Sequence, residues 1–97
     1  MTEYTPGMIL VEVHCYSMRF YDFYKIERVT AKQIKAVKLK KHYEYTGDDC
    51  FHPIVTPTNE IETNTPSDMY LTISKSKAEW KLSVYDRNKK YQEDHLD

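Results

Sequence analysis

The chain is poor in the residues that punctuate and staple folds. Two glycines, Gly7 and Gly47, occur in 97 residues. That excludes a glycine-rich phosphate cradle, which needs several glycines for backbone to close on a phosphate. Two cysteines, Cys15 and Cys50, allow one disulfide at most and exclude a disulfide-stapled scaffold. The longest apolar run near the start, Met8–Val11, stops at Glu12. It is too short for a signal-peptide core or a membrane span, so no membrane partner is expected. Without an export signal, Cys15 and Cys50 are expected to be free thiols in a cytoplasm. Net charge is −1, which gives no overall field towards DNA or anionic lipid. Neither a repeat nor a low-complexity stretch divides the chain, so residues 1–97 read as one domain with short flexible termini.

What is abundant is aromatic and locally charged. Nine Tyr, three Phe and Trp80 supply large buried area to a small core. Residues 19–41 hold eight basic groups against Asp22 and Glu27, a local +6; residues 42–73 hold six acids and no Lys or Arg, a local −6. The two blocks either attract each other in the fold or present separate faces.

Periodicity predicts an all-β or mainly β fold of about five strands. After the Pro6-Gly7 turn, Ile9, Val11, Val13 and Cys15 alternate with Glu12 and His14, a strand with its apolar side on the odd positions. Asp22–Thr30 is β-branched and aromatic and predicts a second strand, joined to the first by a loop over Tyr16–Tyr21. Ala31–Lys41 is ambiguous: Thr30 and Gln33 would cap a helix, whereas Val37 and Leu39 alternate as in a strand. Pro53, Pro57 and Pro66 make 53–67 extended or loop. Met69–Ser74 and Trp80–Tyr85 predict two more strands, the second with Trp80, Leu82 and Val84 on one face. Asp86–Lys89 reads as a turn and Lys90–Asp97 as a charged tail.

The segment Cys15–Ile26 resembles a group of small phage and prophage proteins whose first strand leads into Gly-Tyr-Asp-x-Thr-Asn-x-x-Phe-Tyr-x-Val. Tyr16, Phe23, Tyr24 and Ile26 match it at the same spacing, while Cys15, Ser17, Arg19 and Phe20 stand where the family has Gly, Asp, Thr and Asn. Trp80–His95 is similar to the family's aromatic strand, Trp-Asp turn (here Tyr85-Asp86) and closing aromatic (here Tyr91). The resemblance implies an SH3-like, partly open β-barrel of no generally established activity, and tips Ala31–Lys41 towards strand. A shared aromatic framework carries fold before function.

Four constellations bear on chemistry. His14, Cys15, Cys50 and His52 are zinc-type ligands, but adjacent His14 and Cys15 point to opposite strand faces and the usual pair spacings are absent. No metal and no cofactor is therefore expected. Cys50 with His52 and Asp48 or Asp49, or Cys15 with a His, would be the parts of a nucleophilic site, a set that any chain with four His and fifteen acids offers by chance, so no catalysis is expected. Lys32–His42 followed by Tyr43 and Tyr45 would suit single-stranded nucleic acid, with Lys38, Lys40 and Lys41 on phosphates and Tyr43 stacked on a base. Tyr16–Tyr24 concentrates Tyr, Phe, Met and Arg, the residues of protein interfaces. Phe23 and Tyr24 are expected in the core and Tyr16, Arg19, Phe20 and Tyr21 at a partner. The sequence thus predicts a non-catalytic accessory protein that binds and modulates or inhibits a host protein in the host cytoplasm, with nucleic-acid binding as the alternative.

Overall fold

In the computed structural model, which describes residues 2–15, 18–45, 47, 52–63 and 69–94, β1 (Ile9–Cys15) and β2 (Arg19–Val29) form a regular antiparallel ladder from Ile9↔Lys25 to Cys15↔Arg19. β2 also pairs with β3 (Gln33–Glu44), so the ambiguous segment is strand. The other edge of β3 is shared by two neighbours. Its first half takes β5 (Tyr70–Ser74) and its second half takes β4 (Ile54–Ile61). A short helix, α1 (Lys75–Lys81), leads to β6 (Ser83–Val84) on the outer edge of β1, and β7 (Tyr91–Gln92) lies on β4. The chain is mainly β, a small barrel whose sheet is a strongly curled half-barrel with six strands in line, β6-β1-β2-β3-β4-β7, and β5 as a seventh on β3.

Two irregularities curl it. Between Ile26↔Ala36 and Arg28↔Lys35 the register shifts and Glu27 is extra on β2. The bulge lets Ile26 and Val29 both serve one core, which strict alternation would forbid. Between Leu39↔Ile61 and Lys41↔Pro57 two extra residues enter β4. Thr58 Oγ1 holds that bulge by donating to the Lys40 carbonyl at 2.9 Å. Pro57, which cannot donate a ladder bond, stands at the bulge margin.

β1 and β2 are covered on both faces. On one, Leu10, Ile26, Ile34 and Ile73 pack with Tyr4 from the lead-in and with Ala78 and Leu82. On the other, Val11, Phe23, Leu39 and Val55 pack with Tyr91, flanked by Tyr21 and Tyr85. Double coverage explains why Leu10 and Val11 are both buried. The expected odd-numbered apolar face is correct for Ile9 and Val11 and fails further on, where Val13 is 52% exposed and Cys15 is exposed.

Three further expectations need correction. Trp80 is in α1, not in a strand, and is 74% exposed. The run Lys75–Lys81 is rich in good helix formers, and Ser74 caps it by accepting the Lys77 N–H at 3.2 Å. Only Leu82 of the supposed apolar face is buried. Nor are Arg19, Phe20 and Tyr21 in a loop: β2 begins at Arg19. Lys90–Asp94 is no tail, since Tyr91 and Glu93 are buried and Asp94 pairs with Arg19 through two backbone bonds of 2.9 and 3.1 Å. This bridge draws the end of the chain onto β2 and partly closes the barrel.

Candidate functional site

β2 and β3 stay paired only as far as Tyr24↔Lys38. Beyond that point β2 continues along β1, while β3 swings onto β4. The split opens a cavity of about 320 Å³ lined by Asp22, Lys38, Lys40, Lys41, Tyr43 and Glu62, with Leu39. All four residues expected to meet nucleic acid therefore do share one cleft. Each of the three ammonium groups, however, has a carboxylate: Lys38 has Asp22 at 3.5 Å, Lys40 has Glu60 at 3.7 Å and Lys41 has Glu93 at 2.7 Å. Of these pairs only Lys40–Glu60 joins the basic block to the acidic one; Asp22 lies within the basic block and Glu93 beyond both.

The Lys41–Glu93 pair anchors the closure. Glu93 is fully buried, and its Oε2 accepts both the Lys41 ammonium and the Tyr21 N–H, the latter at 2.9 Å. Burial pushes the Lys41 pKa down, but the bond to Glu93 and its charge outweigh that and hold it above the usual lysine value. Lys41 also stands 5.5 Å from the Tyr43 ring centre.

A second charged group, not foreseen from the sequence, lies on the β1–β2 ladder. Glu12 and Asp22 are directly paired, and His14 is two residues on from Glu12, on the same face. His14 Nε2 is 2.7 Å from Asp22 Oδ2 and 3.3 Å from Glu12 Oε1. The outer oxygens are taken by lysines, Asp22 Oδ1 by Lys38 and Glu12 Oε2 by Lys81 at 3.3 Å. The Glu12-x-His14 spacing was a visible signal; Asp22 and Lys81 needed strand pairing and helix placement to join it.

The residues expected at a partner divide between two faces. Alternation along β2 places Arg19 and Tyr21 on one side and Phe20, beside His14, on the other. Arg19 is exposed and is paired with Cys15; Tyr21 is half-buried, paired with Val13, and meets Tyr91 edge-on at 5.3 Å. Val13, Cys15, Arg19 and Tyr21 thus form one continuous patch. Tyr16 lies outside the described residues.

The margin of this patch is a strand edge. β6 covers β1 only at Leu10 and Val11, and the Tyr85 N–H reaches the Ile9 carbonyl at 2.9 Å. Backbone groups of a strand point alternately to its two sides, so those of Val13 and Cys15 point outward with Ile9's. Among the described residues no strand pairs with them. Lys81, next to exposed Trp80, reaches the same stretch of β1 through Glu12.

No family model matches the chain, and neither curated proteins nor solved structures yield a match. Function is therefore read from this geometry.

The remaining sequence candidates are not assembled among the described residues. His14 and Cys15 lie on opposite faces of β1, and Cys50, Asp48 and Asp49 are outside the described residues. His52 Nε2 stands 3.4 Å from Asp94 Oδ1. Cys15 is a free, exposed thiol. No helix among the described residues is long and apolar enough to cross a membrane.

Proposed function

We propose that the protein is a non-catalytic binding module whose partner is another protein, engaged along the open edge of β1. The observation that carries this reading is that the outward backbone of Val13 and Cys15, which no strand among the described residues pairs, coincides with the Val13, Cys15, Arg19 and Tyr21 patch. An edge strand offers a row of donors and acceptors that an extended segment of a partner can complete, and side chains flanking the edge select which segment. An exposed Arg and a half-buried Tyr beside an apolar residue are anchors of the kind protein interfaces favour. The resemblance to phage and prophage proteins supports placing that partner in a host cell, with modulation or inhibition of a host protein in its cytoplasm as the outcome. Paired lysines in the cleft weigh against the nucleic-acid alternative, because an ammonium already bonded to a carboxylate releases fewer counterions from a phosphate backbone.

The test is capture from nuclease-treated host lysate by the wild-type chain and by two variants. Val13→Pro removes an outward N–H at an edge position, where proline is tolerated. Arg19→Ala removes an exposed anchor. We expect a protein that survives nuclease, is lost with Val13→Pro, and binds Arg19→Ala about thirtyfold more weakly, on the order of 2 kcal/mol. Circular dichroism and thermal midpoints of the free variants should be unchanged. Capture that both variants retain removes the edge reading, and capture abolished by nuclease but restored by single-stranded oligonucleotide favours the cleft.

A further inference from the structure

We infer that Glu12, His14 and Asp22 form a binding site for a divalent transition-metal ion, for which zinc is the best-suited probe. Three ligand atoms converge: Glu12 Oε1, His14 Nε2 and Asp22 Oδ2 all lie within 4.8 Å of one another, with Nε2 at 2.7 and 3.3 Å from the two oxygens. Zinc–nitrogen and zinc–oxygen bonds of about 2.0–2.2 Å at a tetrahedral ion set ligand atoms about 3.3–3.6 Å apart. Small side-chain rotations would bring the three atoms to that spacing, and the backbone can stay as it is. Glu12 and Asp22 are fixed by direct pairing in the ladder, and His14 by its position two residues along.

The hydrogen-bonding arrangement points the same way. Glu12 is only 7% exposed, and a buried carboxylate needs countercharge close by. Lys81 and Lys38 supply it from outside, on Oε2 of Glu12 and Oδ1 of Asp22, while the two inner oxygens both face His14. A neutral imidazole carries at most one proton on Nε2 and can direct it well to one oxygen only, here Asp22. A dication in its place would satisfy all three atoms at once. The lysines would then hold the outer oxygens as orienting partners, as outer contacts commonly do around metal-binding carboxylates. One imidazole and two carboxylates suit zinc better than the harder calcium or magnesium, which prefer oxygen alone. The ion would stand beside the cleft, whose wall includes Asp22, with at least one coordination position left for water. This site is independent of the β1 edge, since ligand side chains project from a face and the docking groups from the margin.

The test is zinc titration of the chelator-treated full chain, read by calorimetry and by the ring nitrogens of its histidines in NMR. We expect one ion per chain, with the largest ring shift at His14 Nε2 among His14, His42, His52 and His95. His14→Ala and Asp22→Asn should each weaken binding by at least a hundredfold, whereas His42→Ala, an exposed histidine on β3, should leave it unchanged. Binding absent at zinc concentrations up to about 1 mM, undiminished in His14→Ala, or centred on His42, His52 or His95 would overturn the assignment. The wild-type ring shifts decide the matter even where a variant folds poorly.

Discussion

The two cores that sandwich the β1–β2 ladder are built differently. One is aliphatic, with Leu10, Ile26, Ile34, Ile73 and Leu82 under a lid of Tyr4 and Ala78. The other is aromatic: Phe23 meets Tyr85 at 5.6 Å and Tyr91 at 5.7 Å, both edge-on, while Tyr85 and Tyr91 stack at 5.5 Å. Aliphatic packing is non-directional and tolerates exchange among shapes of similar volume. Ring pairs prefer particular angles, and here their polar tips are also engaged, the Tyr91 hydroxyl accepting the Asp86 N–H at 3.0 Å. The aromatic core also fixes the closing segment, because Tyr91 is followed by Glu93 and the Asp94 bridge. The contrast implies that the aliphatic side supplies bulk stability and the aromatic side decides whether the barrel closes.

The largest effect that would break this contrast concerns Phe23, fully buried at the centre of the ring cluster. Phe23→Ala should cost about 3–5 kcal/mol in chemical denaturation, against about 0.5–1.5 kcal/mol for Ile26→Val on the other side. Amide exchange should show the loss concentrated at Tyr91–Asp94. Equal exchange across both cores would mean that closure does not depend on the rings.

Next is Glu93→Gln, which keeps the volume but leaves Lys41, with a side chain only 15% exposed, without its carboxylate. A destabilisation of about 3 kcal/mol is expected at neutral pH. Lys41 has its pKa raised in the folded chain, so its contribution is complete below the unfolded value and is lost as pH rises through the folded one. The gap between wild type and variant should therefore persist through neutral pH and narrow in strongly alkaline solution. A gap that is unchanged there would assign the effect to groups other than Lys41.

The smallest effect lies at the helix that covers the aliphatic core. Ser74→Ala removes the cap on Lys77 and should cost about 1 kcal/mol. Trp80→Ala, 74% exposed one turn further on, should alter the thermal midpoint little. A large loss at Trp80 would show that the ring packs where the structure leaves it open.

The sequence made the strands legible wherever one face or both were apolar over several residues. The ladder partners β1 and β2, the strand at Tyr70–Ser74 and the turn at Asp86–Lys89 all follow from local pattern and turn chemistry. Helix α1 differs from the expected strand: Trp80, Leu82 and Val84 alternate as a strand would, whereas the capping Ser74 and the Lys-Ala-Glu composition of the preceding residues favour helix. The basic stretch was located correctly, yet its pairing with Asp22, Glu60 and Glu93 was out of reach, since those acids come from three other places in the chain.

By itself, then, the amino-acid order determined the β class, the burial of Phe23 and Tyr24, and the clustering of lysines on one strand, because each depends on neighbours within a few residues. Only the tertiary structure decided which stretch of β1 has no strand neighbour among the described residues, where β2 and β3 part, and that Glu12, His14 and Asp22 meet. These depend on register, on two bulges and on a closing bridge between Arg19 and Asp94, contacts between distant segments that local periodicity does not encode.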